Sequence, residues 1–136
     1  MCSAPTASTK PNRYLMSVNR LSRAALKKIL GGKVKEEATC IIKFYSNTCD
    51  LCHNLQGYYE ELSNDENYSD LHFFAFNISD YPVIEKQLNF YGVPTISLIK
   101  TGGAKTKIRV LADPEDPHEK TWYRIREIKD FIEKEK

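Results

Sequence analysis

Apolar residues follow two different periods along this chain, and the changes from one period to the other predict its strands and helices. Runs rich in β-branched and aromatic residues predict buried strands at Thr39–Tyr45, His72–Ile78 and Thr95–Lys100. The second of these runs is nearly continuously apolar, which is typical of a strand covered on both faces. Shorter patterns of the same kind predict strands at Tyr14–Val18 and Lys107–Leu111.

Between the strands, apolar residues recur every three or four positions, which is the period of an amphipathic helix. The predicted helices are Leu21–Leu30, Asp50–Leu62, one from a cap at Ser79 or Asp80 to about Phe90, and one defined by Trp122, Ile125, Ile128, Phe131 and Ile132. Gly31 and Gly32 end the first helix, because glycine commonly follows a helix C-terminus. Pro82 is expected in the first turn of the third helix, where proline is tolerated.

The resulting order, β-α-β-α-β-α-β-β-α, belongs to the α/β class. Alternating strands and helices predict a parallel core, and a turn at residues 101–103 closes a hairpin that adds antiparallel strands. We therefore expect a central mixed sheet of four to five strands flanked by helices. A length of 136 residues suits one domain, which we place at residues 14–136, after a disordered tail at residues 1–13.

Composition excludes only broad classes of protein, such as those that span a membrane. Hydrophobic residues make up 41% and charged residues 28% of the chain, as in ordinary globular proteins, and no apolar run is long enough for a membrane span. The tail lacks the apolar region of a secretory signal, and the four cysteines do not show the spacing of a secreted disulfide framework. We expect a cytoplasmic protein, although the Ser/Thr-rich, acid-free tail is also compatible with a short organelle-targeting segment.

Charge is distributed unevenly along the chain. Residues 1–35 contain eight Lys/Arg and no acidic residue, whereas residues 46–90 contain eight Asp/Glu and one Lys. The basic segment could contact an acidic partner or nucleic acid. Because no aromatic residues are interleaved with it in a nucleic-acid-binding pattern, we favour a solvated helix face and do not expect nucleic acid to be a partner.

The candidate chemistry lies where a predicted strand meets the second helix. Cys49 and Cys52 stand three positions apart there, so both fall on one helical turn and can close a small disulfide. Cys49 falls at or near the helix N-terminus, where unpaired N–H groups and the positive end of the helix dipole favour a thiolate. These features are typical of a redox-active thiol pair.

A second motif, Gly92-Val93-Pro94-Thr95, precedes a later predicted strand. With the two cysteines and this proline in the same element order, the chain resembles the thioredoxin family over residues 14–136. The resemblance implies the thioredoxin fold and a cis bond before Pro94, which presents the Val93 backbone to an extended substrate segment.

The resemblance also implies a thiol–disulfide oxidoreductase, most simply a protein disulfide reductase. Cys49 would attack a disulfide in a protein substrate, and Cys52 would resolve the mixed disulfide. The protein would act as a monomer, take electrons from a thioredoxin-reductase-like or other donor, and need no metal or cofactor beyond its own redox-active disulfide. The residues predicted to contact the substrate are Thr48, Asp50, Leu51, Val93 and Pro94.

Two departures from the family pattern lie around the first cysteine. Thr48 replaces the tryptophan usual before it, and Asp50-Leu51 replaces the usual Gly-Pro between the cysteines. The carboxylate of Asp50 places a negative charge beside Cys49 and should partly oppose the helix dipole. This predicts a mild reductant rather than a strong oxidant, since strong oxidants need a heavily stabilised thiolate.

A third departure is Lys43, which occupies the position of the family's buried carboxylate. As a lysine it either lowers the pKa of Cys52 or extends to the surface. His53 is a further candidate, as a proton relay beside Cys52. Lys43, Asp50 and His53 are therefore the residues predicted to tune the pKa values of the two thiols.

Other interpretations use the same residues. The missing tryptophan and carboxylate favour a non-catalytic module that binds a partner through the surface around the cysteines and Pro94. A disulfide oxidase or isomerase is the second alternative, and its reduction potential would distinguish it from a reductase. The Cys49-x-x-Cys52-His53 pattern also matches a haem attachment site, but Met1 and Met16, the only methionines, do not lie downstream as an axial ligand would.

A zinc site is the remaining alternative. Cys40, Cys49, Cys52 and His53 have suitable ligand types, but no second Cys/His pair follows at zinc-finger spacing, so we predict no metal. Cys40 is expected to be a small hydrophobic residue of a buried strand. Trp122 is expected to anchor the last helix in the core.

Overall fold

The computed structural model of the protein describes residues 18–136. Its strands are β1 (Val18–Arg20), β2 (Ala38–Tyr45), β3 (His72–Asn77), β4 (Thr95–Thr101) and β5 (Lys107–Val110). Its helices are α1 (Arg23–Leu30), α2 (Asp50–Ser63), α3 (Ile84–Leu88) and α4 (Ile125–Glu135), with short 3-10 turns at Glu66–Tyr68 and Ile78–Asp80. The predicted tail, and all but the last residue of the predicted strand Tyr14–Val18, lie outside the described residues.

The strands form one mixed sheet in the order β1-β3-β2-β4-β5. Strands β1, β3 and β2 run parallel, whereas β4 runs antiparallel to β2 and β5 antiparallel to β4. The predicted mixed sheet with a parallel core and a closing hairpin is therefore confirmed, with five strands among the described residues. The carboxyl ends of β2 and β3 lie side by side, which places the residues that follow β2 at one edge of the sheet.

Each face of the sheet packs against its own hydrophobic cluster. Side chains alternate along β2, so Ile41 faces α2 and α4, while Ile42 and Phe44 face α1 and α3. The first cluster includes Leu55, Tyr59, Ile96, Leu98 and Ile128, and the second includes Leu26, Phe76, Ile84, Phe90 and Ile99. Both faces are covered, as the continuous apolar run in β3 predicts, and each fully buried large side chain contributes about 1.5–3 kcal/mol to folding.

The third helix begins later than predicted. No helix starts at a cap on Ser79 or Asp80; instead the side chain of Asn77 accepts hydrogen bonds from Ser79 in a short 3-10 turn. Tyr81 is then extended, with φ −162°, because the ring of Pro82 disfavours the helical conformation in the residue before it. Pro82 therefore precedes the helix instead of lying in its first turn.

The last helix also begins later than the apolar pattern predicts. Trp122 packs against the core from the preceding loop, with φ +68°, and its indole N–H donates to Asp113 at 3.3 Å. The helix starts after Arg124, whose backbone N–H donates to the carboxylate of Glu127 at 2.7 Å. The prediction that Trp122 contacts the core is confirmed, but its place within the helix is wrong.

Two glycines give a matched stability prediction. Gly102 has φ +85°, and a Cβ there would lie 2.6 Å from the backbone of Glu36 and Glu37, whereas nothing lies within 4 Å of a Cβ on Gly57 in α2. We expect Gly102→Ala to destabilise the protein by about 1–3 kcal/mol. Gly57→Ala should stabilise it by about 0.5–1 kcal/mol. Urea unfolding followed by circular dichroism measures both, and a neutral Gly102→Ala would contradict the tight turn.

Candidate active site

The two cysteines lie at the start of α2, as predicted. The chain leaves β2 at Tyr45, turns over three polar residues, and reaches Cys49, the N-cap of α2. The Cys49 sulfur accepts a hydrogen bond from the backbone N–H of Cys52 at 3.0 Å. The two residues form a disulfide, with their Cα atoms 5.2 Å apart.

The two sulfurs differ in their access to solvent. Cys49 is half-buried, whereas Cys52 is 3% exposed beneath the first turn of the helix. An incoming disulfide can therefore reach Cys49 but not Cys52. This asymmetry suits a nucleophile at Cys49 and a resolving thiol at Cys52.

The proline loop lies beside Cys49. The carbonyl oxygen of Val93 is 3.6 Å from the Cys49 sulfur, although the two residues are 44 positions apart. The Val93–Pro94 peptide bond is cis. Pro94 is buried and Val93 is half-buried, so the backbone before the proline forms the wall of the site.

A carboxylate that the sequence analysis missed holds this loop in place. Glu85, in the first turn of α3, accepts a hydrogen bond from the backbone N–H of Gly92 at 2.7 Å. The hydroxyl of Thr95 donates to the carbonyl of the same glycine at 2.8 Å. No sequence signal marked Glu85, because the bond joins two different elements.

The other predicted contact residues surround Cys49 as its chain neighbours. Thr48 and Asp50 are exposed and Leu51 is half-buried. Val93 lies near the same sulfur through its carbonyl oxygen. Asp50 is the acidic residue in the first turn of α2, where the helix dipole stabilises a negative charge. The same dipole would stabilise a thiolate on the neighbouring Cys49, so the two negative charges would lie close together.

Lys43 is largely buried, and its amine keeps contact with solvent in the cavity that it lines. It is 5% exposed, and its amine lies 5.4 Å from the ring centre of Tyr59 and 5.8 Å from that of Tyr45. Burial lowers the pKa of Lys43 to about 8, against a smaller opposing effect of Glu60. Lys43 and Cys52 line the same cavity, which has a volume of about 420 Å³.

The remaining candidates divide between the two faces of the sheet. His53 is exposed and lines the mouth of the same cavity, together with Arg20 and Gln56. Cys40 is buried on the opposite face of β2, and burial raises the pKa of its thiol to about 11, as expected for an inert core cysteine.

The set proposed for zinc does not assemble in the described part of the chain. Cys40 is separated by the sheet from the other three residues, and within residues 18–136 no three His, Cys, Asp or Glu side chains are grouped to hold a metal. Met1 and Met16, the methionines relevant to the haem alternative, lie outside the described residues. No helix among those described is long and apolar enough to cross a membrane.

Comparison with known proteins identifies relatives at the level of family and fold. A family model described as Thioredoxin matches residues 21–116, more than half of the chain. A comparison with curated protein sequences finds no match.

Several solved structures share the fold. Plasmodium falciparum thioredoxin has a TM-score of 0.58 at 19% identity, covering 87% of this chain and 98% of that one. Thioredoxin f2, in a complex with ferredoxin:thioredoxin reductase, has a TM-score of 0.61 at 18% identity, covering 88% and 96%. The J-Trx1 fragment of ERdj5 has a TM-score of 0.58 at 16% identity; 87% of this chain matches only 49% of that fragment.

Proposed function

Because this chain belongs to the thioredoxin family, we propose that it is a thiol–disulfide oxidoreductase that works as a reductase of protein disulfides. One observation supports this above all. The Cys49 sulfur is solvent-accessible, forms a disulfide with Cys52, and lies 3.6 Å from the Val93 carbonyl of the proline loop. The nucleophile, the resolving thiol and a backbone edge for an extended substrate thus meet at one place.

The reaction consists of two thiol–disulfide exchanges. The Cys49 thiolate attacks one sulfur of the substrate disulfide, the substrate S–S bond breaks, and the second substrate sulfur leaves as a thiolate that takes up a proton. Cys52 then loses its proton and attacks the Cys49 sulfur. The bond to the substrate breaks, so the substrate gains two electrons and the protein keeps a Cys49–Cys52 disulfide.

The helix N-terminus activates the attacking sulfur. The Cys52 N–H already points at the Cys49 sulfur at 3.0 Å, and a helix N-terminus stabilises an anion by about 0.3–1 kcal/mol, up to about 2 kcal/mol. Both effects lower the pKa of the Cys49 thiol. The neighbouring Asp50 carboxylate raises it, which leaves Cys49 moderately activated and favours a mild reductant.

We propose that the substrate and the electron donor both use the surface around Cys49. An extended protein segment would lie along the Val93 backbone, with Thr48, Asp50 and Leu51 on the other side of its disulfide. Electrons would come from a thioredoxin-reductase-like or other donor; thioredoxin f2, which shares the fold, is seen in a complex with ferredoxin:thioredoxin reductase. We propose a monomer that acts in the cytoplasm.

Catalytic reduction of a protein disulfide tests the proposal. With dithiothreitol as the electron source and insulin as the substrate, a small amount of the protein should reduce many equivalents of disulfide. Cys40→Ser serves as the matched control, because Cys40 is buried on the other face of the sheet and should not affect the rate. A rate equal to that of dithiothreitol alone would favour the non-catalytic binding module.

Removing the charge of Asp50 is expected to have a small effect on the acidity of the Cys49 thiol. Asp50→Asn removes the charge beside Cys49, so the acid dissociation constant of the Cys49 thiol should rise about 1.5- to fivefold, as for other exposed charge pairs. Thiolate absorbance measured against pH in a Cys52→Ser background reports this constant. Asp70→Asn, at the opposite end of the sheet before β3, should leave it unchanged; equal effects of both variants would refute a local role of Asp50.

A further inference from the structure

Lys43 is a largely buried cation that forms no ion pair with any described residue. It is 5% exposed, and within the described residues its amine makes no ion pair or hydrogen bond. Its neighbours are the ring faces of Tyr59 and Tyr45, at 5.4 Å and 5.8 Å from the ring centres. Buried charges are normally paired, because burial removes part of their hydration. The Lys43 amine keeps only the solvent contact that the cavity provides.

The cavity around this amine contains few charges that could neutralise it. Among the described residues that line the cavity, Glu60 on α2 is the only carboxylate; it partly offsets the lowering of the Lys43 pKa but forms no ion pair with Lys43. The other titratable or charged groups that line it are Arg20 on β1, Tyr45 on β2, and His53 and Tyr59 on α2. The cavity is thus open to an additional negative charge.

Both cysteines line this cavity as well, and Cys52 is the more deeply buried of the two. In the disulfide neither sulfur carries a charge. When the bond opens, Cys52 becomes a thiol that must lose its proton before it can attack. A thiolate formed there shares the cavity with the Lys43 ammonium group, which forms no ion pair within the described residues and interacts with Glu60 only at longer range.

We propose that Lys43 is the counter-ion of the Cys52 thiolate, without an ion-paired partner in the disulfide form and paired electrostatically when the disulfide opens. The inference rests on the proposed oxidoreductase function and adds a residue to its second step. Lys43 is a positioning residue in this sense: it stabilises the charge on Cys52 and does not contact the substrate. Burial lowers the pKa of Lys43 to about 8, so most of the amine is charged at pH 7.

In the second exchange, the positive charge of Lys43 would balance the negative charge of the Cys52 thiolate. In the mixed disulfide, Cys52 releases its proton to solvent through the cavity, and Lys43 stabilises the resulting thiolate. The thiolate attacks the Cys49 sulfur, the Cys49–substrate bond breaks, and the electron pair leaves with the substrate sulfur, which is then protonated. Since the cation stabilises thiolate and not disulfide, it also shifts the equilibrium of the couple toward the dithiol.

The reduction potential tests this shift. Lys43→Met keeps the length of the side chain and removes its charge, so the equilibrium constant for reduction should fall about tenfold, equivalent to about 30 mV for a two-electron couple. Arg20→Met is the matched control, because Arg20 lines the same cavity but is exposed; its shift should stay below about threefold, since solvent screens an exposed charge. An unchanged potential in folded Lys43→Met, or equal shifts in both variants, would overturn the proposal.

A second measurement does not depend on catalysis. In a Cys49→Ser background, adding Lys43→Met should lower the acid dissociation constant of Cys52 about tenfold or more, read by thiolate absorbance. If the oxidoreductase proposal fails while this constant changes as expected, the electrostatic role of Lys43 still stands. An unchanged constant would refute the role of Lys43 whatever the enzyme assay shows.

The wild-type protein provides a test if the variant does not fold. NMR titration of the Lys43 side chain in the oxidised and reduced proteins compares its protonation with and without the free thiols. Pairing with a thiolate requires a higher pKa of Lys43 in the reduced protein. The same pKa in both forms would contradict the proposal.

Discussion

Replacing Cys49 with serine is expected to abolish catalysed disulfide reduction, lowering the turnover rate by roughly 10³-fold or more, because a hydroxyl cannot supply the attacking sulfur. Replacing Cys52 with serine should have a different result. Cys49 remains accessible at the N-terminus of α2 and still attacks the substrate, but the mixed disulfide is not resolved. The Cys52→Ser variant should therefore accumulate covalently bound substrate.

Non-reducing gel electrophoresis and intact-mass measurement distinguish these outcomes. Cys52→Ser mixed with a disulfide substrate should gain the mass of one substrate thiol on Cys49, and dithiothreitol should release it. Cys49→Ser should gain none, because Cys52 is 3% exposed. Substrate trapped on Cys52 in the Cys49→Ser variant, or full activity in either variant, would contradict the assigned roles.

Lys43→Met is expected to stabilise the oxidised protein by about 1–3 kcal/mol at pH 7. Burial lowers the pKa of Lys43 from 10.5 to about 8, so the folded state binds its proton more weakly than the unfolded state does. At 1.36 kcal/mol for each pKa unit, the buried charge destabilises the fold by up to about 3 kcal/mol below pH 8. Methionine removes this cost and keeps a similar volume.

The stabilising effect of Lys43→Met should depend on pH in one direction. Between about pH 8 and 10.5 the folded wild-type protein loses the Lys43 proton while the unfolded chain retains it, so wild-type stability rises relative to the variant. The advantage of Lys43→Met should therefore be largest at or below pH 7 and shrink toward pH 10. Buried groups such as Cys40, whose pKa is raised to about 11, titrate alike in both proteins and cancel in the comparison.

Urea unfolding of both proteins at pH 6.5, 8 and 9.5 measures the difference. The same experiment on the reduced proteins links stability to redox chemistry, because Lys43 is then expected to be paired with the Cys52 thiolate. The advantage of Lys43→Met should be smaller in the reduced form by about 1.4 kcal/mol, the free energy that corresponds to the expected tenfold shift of the couple. A destabilising substitution with no dependence on pH would show that Lys43 acts through packing instead.

The order of strands and helices was predictable because strong local patterns determine it. The apolar runs in β2, β3 and β4 and the three- and four-residue spacing in α2 each favour one kind of element. The start of α3 was not predicted from its cap, because Ser79 is a favourable cap residue but Pro82 disfavours the helical conformation in Tyr81. Tyr81 is extended in the structure, with φ −162°, and the helix begins only after Val83.

The motif residues of the candidate site were predictable from the sequence, but the contacts between different elements were not. Cys49, Cys52 and Pro94 belong to motifs that occupy fixed places in the element order. The bond from Glu85 to Gly92 joins different elements and leaves no sequence pattern. The burial of Lys43 depends on which side of β2 faces the cavity under α2, and no local pattern reveals this when both faces of a strand are covered.

A thiol–disulfide titration of Cys49 and Cys52 tests the central proposal most directly. The protein is equilibrated with mixtures of reduced and oxidised glutathione or dithiothreitol, the free thiols are alkylated, and the two forms are counted by mass spectrometry. We expect a reversible two-electron couple near or below about −230 mV, in the range of disulfide reductants, with Lys43→Met lower still. A couple at about −120 to −180 mV would indicate an oxidase or isomerase, and the absence of any reversible couple would contradict the redox function.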